Sequence, residues 1–161
     1  MPIVNLPSRA SAQFASFGSV LISSFNANPA VADLDLLFAH QRALVKLYGH
    51  VSGLSLISSD GIGGINEDLK RHSVEMTKAT SCLGVATVVR GDGLKAGLVR
   101  ACLTGLSLLS TTRYPIRVAS SIDEGLEWLL ERPGQLLSAR RLTSAAVLKH
   151  FNAVIGIANA A

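Results

Sequence analysis

Short apolar runs alternate along this chain with longer stretches of helical period. Phe14 and the run Phe17 to Phe25 (FGSVLISSF) hold one or two strands, with Gly18-Ser19 as the turn between them. Asn28-Pro29 then opens a helix, Asn28 as the N-cap and Pro29 at the first helical position. Leu34, Leu37, Phe38, Leu44, Val45 and Tyr48 recur three and four residues apart, which gives that helix one buried face. Gly49 ends it in the left-handed conformation suited to a C-terminal cap.

Ser52 to Ser58 (SGLSLIS) is short, apolar and flanked by turn residues, so it reads as a strand. A glycine-bearing loop follows, and a second helix is expected from about Asn66, with Glu67 and Asp68 in its first turn. Its apolar stripe is thin (Leu69, Met76, Leu83), and Gly84 is read as its end. The β-branched run Val85 to Val89 predicts a strand covered on both faces.

Gly91-Asp92-Gly93 leads into a third helix, Leu94 to about Leu109. Thr112 to Ala119 is a last strand, which Pro115 assigns to an edge or starts. Ser121 and Glu124 form a capping box for a helix that stops at Pro133-Gly134. A final amphipathic segment runs from Leu142 to about Asn159, with Leu148, Phe151, Val154 and Ile155 on one side.

Strands alternating with helices imply crossover connections and a mostly parallel sheet. The expected fold is a single α/β domain, its sheet flanked by helices, with an N-terminal β-hairpin and an extra C-terminal helix. Residues 1–10 read as an N-terminal arm, 11–132 as the α/β domain and 133–161 as a C-terminal extension with one helix.

Composition narrows the classes. The 161 residues are 48% hydrophobic, 16% charged and 5% aromatic. Low charge density and few aromatics argue against disorder and against a stacking platform for single-stranded nucleic acid. The net charge of +4 sits mostly in the tail, where Arg140, Arg141 and Lys149 have no acidic neighbour. The remaining 12 basic and 11 acidic residues nearly balance, so no basic face for nucleic acid is expected. The longest uncharged stretch, Ala10 to Ala32, is too polar for a membrane span, and a cytoplasmic location is expected. Cys82 and Cys102 read as buried free thiols.

The stretch Phe17 to Glu131 resembles the SpoIIAA-like branch of the STAS fold. The carrying segments are LSLISS, NEDLKRHSVEMTKA, VATVV, GLKAGLVRACLTGLSLL, YPIRVA and SSIDEGLEWLL. The last of these is the most specific, being similar to the end of small bacterial members of that branch. The resemblance implies a non-enzymatic regulatory or docking module, in some members with a hydrophobic or nucleotide-binding pocket. In anti-sigma antagonists a loop serine after an aspartate is phosphorylated to break a partner contact. The corresponding loop here is Ser58-Ser59-Asp60-Gly61, with the acid after the serines. Ser58 and Ser59 are the candidate phosphosites, weighed against a simple glycine-rich turn.

Other constellations are weaker. Gly91-Asp92-Gly93 with Gly97, and Asp123 further on, resembles a dinucleotide fingerprint, but the glycine spacing is wrong and the turn follows an interior strand. Gly61, Gly63, Gly64, Gly91 and Gly93 are candidate ligand loops for the alternative of a small-ligand or lipid carrier with a pocket between helices and sheet. Gly97, Ala101 and Gly105 form a ridge of small residues on the third helix, packed either on the domain's own sheet or on a homodimer partner. Trp128 is either covered by the C-terminal helix or an exposed partner anchor. His72 and Glu75 alone do not make a metal site. No catalytic constellation, cofactor or metal is expected. The working expectation is protein–protein contact, including a homodimer or higher homo-oligomer, with an enzyme of unrecognised type as a further alternative.

Overall fold

Alternation along residues 12–25 fixes the start of the sheet. In the computed structural model, which describes residues 2–59, 67, 71, 81–109, 114–135 and 137–158, β2 (Ala12–Phe17) and β3 (Val20–Phe25) pair as an antiparallel hairpin. Gly18 takes φ 59° in the turn between them. A further strand, β1 (Val4–Leu6), pairs antiparallel with β2 inside the segment expected to be an arm. It is only three residues long, too short to carry a readable alternation.

From β3 onward the chain runs by crossovers. Helix α1 (Val31–Tyr48) connects β3 to β4 (Val51–Ser58), which pairs parallel with β5 (Cys82–Arg90). Helix α2 (Gly93–Leu109) connects β5 to β6 (Ile116–Ala119), again parallel. The strand order is β1-β2-β3-β4-β5-β6, so the sheet is α/β and mostly parallel, with β1 and β6 at its edges. Pro115 immediately precedes β6, at the edge where a missing ladder donor is tolerated. Helix α3 (Ile122–Leu130), a 3-10 turn (Leu137–Arg141) and helix α4 (Ser144–Ala158) complete the chain.

Strand periodicity sorts the core into two faces. Ala15, Phe17, Val20, Ile22, Leu54, Leu56, Ala86 and Val88 face α3 and the C-terminal elements, whose Leu126, Leu129, Leu142, Val147 and Phe151 complete one cluster. Gly125 lets α3 approach closely, since a Cβ there would lie 3.3 Å from Val88 and 3.4 Å from Ala86 and Leu54. The opposite face carries Phe14, Leu21, Phe25, Val51 and Ile57 and packs on α1 through Leu37, Leu44 and Val45. The β5 run is thus covered on both sides. The steps β3 to β4 and β5 to β6 go the same way, and right-handed connections then bring α1 and α2 to one face.

Several boundaries move for identifiable reasons. Helix α1 starts at Val31, not Pro29, with Ala30 as its N-cap. The side chain that stabilises this end is Asp33, whose Oδ2 accepts from the Ala30 N–H at 2.8 Å and from the Ser11 hydroxyl at 2.8 Å. Gly49 does close the helix, at φ 82°, and its N–H donates to the Val45 carbonyl. Leu83 and Gly84 belong to β5 rather than to a second helix, because Gly84 pairs with Ser52 in the sheet. Glu67 and Arg71 are helical; the rest of that expected helix, with His72 and Glu75, lies outside the described residues. On α4 the buried positions include Val147 and Phe151, whereas Leu148 points outward.

Candidate functional site

Two features on the α1 and α2 side of the molecule combine access with unusual chemistry. The first is a cavity between α1 and the sheet. The register places Leu21, Gly53, Val85 and Ile116 side by side, and Ser23, Ser55 and Thr87 form the next row toward the C-terminal ends of the strands. Phe25, Ile57 and Val89 make the third row. A band of hydroxyls therefore crosses three adjacent parallel strands between two apolar bands. Leu37, Phe38 and Gln41 of α1 face the first two rows, and Tyr114 stands at the β6 end. The cavity they enclose measures about 190 Å³.

Ser23 is 4% exposed and Thr87 9%, Ser55 between them is half-buried, and Gln41 above them is 5% exposed. Among the described residues, no charged side chain lines the cavity. Burial pushes the Tyr114 phenol far above its ordinary range, with nearby Cys82 adding to the shift, so it stays protonated. That volume is below the ~300–1,000 Å³ of pockets for drug-sized ligands. The sequence signal is a small polar residue at alternating positions in three consecutive strands, which strand prediction treats as filler.

The second feature is the outward face of α2. Ala96 is buried, with Val99, Arg100 and Leu103 partly so, and this stripe lies toward β5 and β6. Arg100 is fastened by donating from Nη2 to the carbonyls of Val89 and Gly91, at 3.1 and 3.2 Å. The ridge of Gly97, Ala101 and Gly105 is on the other side. Gly97 and Ala101 are exposed, and a Cβ at Gly97 or Gly105 would meet open space. The expectation that this ridge packs on the domain's own sheet is therefore corrected. Beside it stand Leu94, 82% exposed, Leu98, 62% exposed, and the thiol of Cys102, also exposed.

The remaining sequence candidates are scattered. Ser58 is half-buried, and Ser59 is 2% exposed, its backbone N–H donating to the Arg90 carbonyl. Its hydroxyl fills the space that a Cβ at Gly91 would need, and Gly91 takes φ 115°. Gly93, at φ 81°, starts α2 in open space. Neither Gly91 nor Gly93 lines the cavity. Gly61, Gly63 and Gly64 lie outside the described residues. Trp128 is half-buried: its ring edge sits over Gly84, 3.1 Å from where a Cβ would stand, and the Arg132 guanidinium lies 4.6 Å above the ring. The thiols also differ from expectation, Cys82 being half-buried and Cys102 exposed, both free.

At the β6 to α3 corner, Glu124 accepts from Arg117 Nη2 at 2.8 Å and from the Ser120 N–H and hydroxyl at 2.8 and 2.7 Å. These hydrogen bonds, the Ser120 ones foremost, lower its carboxyl from the ordinary 4.5 to about 2. Among the described residues no group of three or more His, Cys, Asp or Glu is placed to hold a metal ion, and no helix is long and apolar enough to cross a membrane. No family model, curated protein or solved structure matches the chain.

Proposed function

We propose that this protein is a non-enzymatic docking module of the regulatory or scaffold kind, acting by contact with a second copy of itself through the outward stripe of α2. The observation that carries the reading is the order of side chains along that stripe. Large residues, Leu94 and Leu98, occupy its N-terminal half; small ones, Ala101 and Gly105, occupy its C-terminal half. An antiparallel pair of α2 helices, related by a two-fold axis between Val99 and Arg100, seats Leu94 opposite the partner copy's Gly105. It also sets Leu98 opposite Ala101 and Gly97 opposite Cys102. Such a surface is complementary to itself, as an isologous contact requires.

Size sets the strength. A 17-residue helix is about 25 Å long, and one helix pair buries on the order of 600 Å² in total, below the ~1,200 Å² of stable specific interfaces. The contact is therefore reversible and suited to regulation. The resemblance of residues 17–131 to SpoIIAA-like STAS modules supports a docking role of this kind.

Light scattering across a concentration series tests the reading. The wild type moves from monomer toward dimer as concentration rises. Leu98→Glu, which puts a charge into the contact, and Gly105→Leu, which fills the recess for Leu94, both remain monomeric with unchanged circular dichroism. A wild type that stays monomeric at millimolar concentration, or variants that dimerise like it, contradicts the reading.

A further inference from the structure

We propose that Arg100 is the positioning residue of the α2 contact, selecting which of two apolar faces the helix turns outward. Ala96, Val99 and Leu103 lie on one side of α2, and Leu94, Leu98, Ala101 and Gly105 lie about half a turn away. The inward side buries Ala96 fully and leaves Val99 and Leu103 half-buried. The outward side carries two leucines, 82% and 62% exposed. Burial of apolar area therefore gives no reason for the observed side to face the sheet.

Arg100 supplies that reason. The helix has two charged residues, of which Lys95 is exposed and Arg100 is half-buried on the inward side. Along β5 the Val85 N–H donates to the Pro115 carbonyl, on the β6 side. With the period of two along a strand, the backbone of Val89 points the same way. Strand β6 ends at Ala119, opposite Val88, one residue short of the Val89 carbonyl and three short of Gly91. Backbone carbonyls at the end of a sheet still need donors, and Arg100 Nη2 donates to both, at 3.1 and 3.2 Å. Its Nε is buried, so the side chain is enclosed rather than draped over the surface. Turning α2 by half a turn would strip both carbonyls of a charged donor, a bond stronger than a neutral one. The clamp thus keeps the stripe from Leu94 to Gly105 on display. It rests on the self-association reading for what the displayed face does, and not for how that face is held.

Thiol modification tests the clamp in dilute protein, and light scattering tests its effect on the contact. The reporter is Ala101→Cys in a Cys102→Ser background of the full chain, followed by peptide mass spectrometry at the lowest concentration of the dilution series. With Arg100 present the reporter thiol reacts quickly. Adding Arg100→Met turns it toward the sheet and slows the reaction at least about tenfold, whereas mere loosening of the fold would speed it. Arg100→Lys, which keeps a donor for the carbonyls, restores the quick reaction. In the concentration series Arg100→Met dimerises less than wild type. An unchanged or faster reaction in folded Arg100→Met overturns the proposal, as does Arg100→Lys reacting as slowly as Arg100→Met. Arg100→Gln, which shortens the side chain, gives the same reading if Arg100→Met fails to fold. Slowing in a protein whose wild type never dimerises supports the clamp and contradicts the α2 contact; dimerisation with no slowing does the reverse.

Discussion

Single side chains explain where the chain's local signals succeeded and where they misled. Ser121 and Glu124 have the spacing of a capping box, yet only half of it forms. The Ser121 hydroxyl accepts from the Glu124 N–H at 3.1 Å, while the Glu124 carboxylate turns to Ser120 and Arg117 instead. That choice depends on Arg117, which strand β6 brings alongside, a neighbour no spacing rule contains. Asp33 is a clearer case. It is fully buried, caps α1, holds Ser11, and has Arg9 Nε 3.0 Å from its Oδ1, so two residues from the chain's first turn converge on it. In the sequence it is one of two acids, with Asp35, in an amphipathic helix.

Two predictions belong at this scale. Because the folded state lowers the Glu124 carboxyl from 4.5 to about 2, its contribution is present above pH 4.5 and is lost as pH falls toward 2. Glu124→Gln is therefore less stable than wild type at pH 6, by no more than about 1 kcal/mol for a partly exposed pair. The difference vanishes near pH 2, as urea unfolding at the two pH values will show. Burial pushes the Cys82 thiol to about 11, although a hydrogen bond with the Gly84 backbone pulls the other way. A thiol reagent at pH 7.5 accordingly modifies Cys102 quickly and Cys82 only after unfolding, a ratio that mass spectrometry of timed samples measures.

Elements were legible in proportion to the strength of their periodicity. Helix α1, with its apolar positions at three- and four-residue spacing, was readable to within two residues at its start and to the residue at its glycine cap. The β2–β3 hairpin, β4 and the core of β5 were readable from alternation and β-branching. What failed was the assignment of Leu83 and Gly84 to a helix, since a glycine is an end signal for a helix and also the natural partner of a large ring in a sheet. Trp128 over Gly84 is the reason it sits in β5. Gly125 is a similar case within α3, where its missing side chain sets the distance from helix to sheet. Gly125→Leu forces that helix off Val88 and Ala86 and costs about 1–3 kcal/mol, read as a lower urea midpoint at unchanged secondary structure. The ridge on α2 was visible as a row of small residues, but its direction was not. Which side of a helix faces the sheet is decided by the neighbouring strands, and here Ala96 takes that place.

At the scale of the molecule, the sheet closes both routes by which it could add strands. One edge is a three-residue strand, and the other is four residues long, follows a proline and displays Arg117, features that blunt edge pairing. The proposed self-association therefore uses a helix surface, and α2 has an exposed apolar stripe for it. The cavity was not legible from the chain because it exists only through the lateral register of three strands separated by crossovers. Of the glycine loops singled out as ligand contacts, Gly91 and Gly93 lie outside that cavity, and Gly61, Gly63 and Gly64 lie outside the described residues.

The most direct test of this account is a dilution series of the 15N-labelled wild type followed by amide chemical shifts. The prediction is concentration-dependent shifts confined to the α2 stripe, Leu94 through Gly105, with the edge strands unmoved. Shifts centred on Val4–Leu6 or Ile116–Ala119, or a spectrum that does not change with concentration, would contradict it.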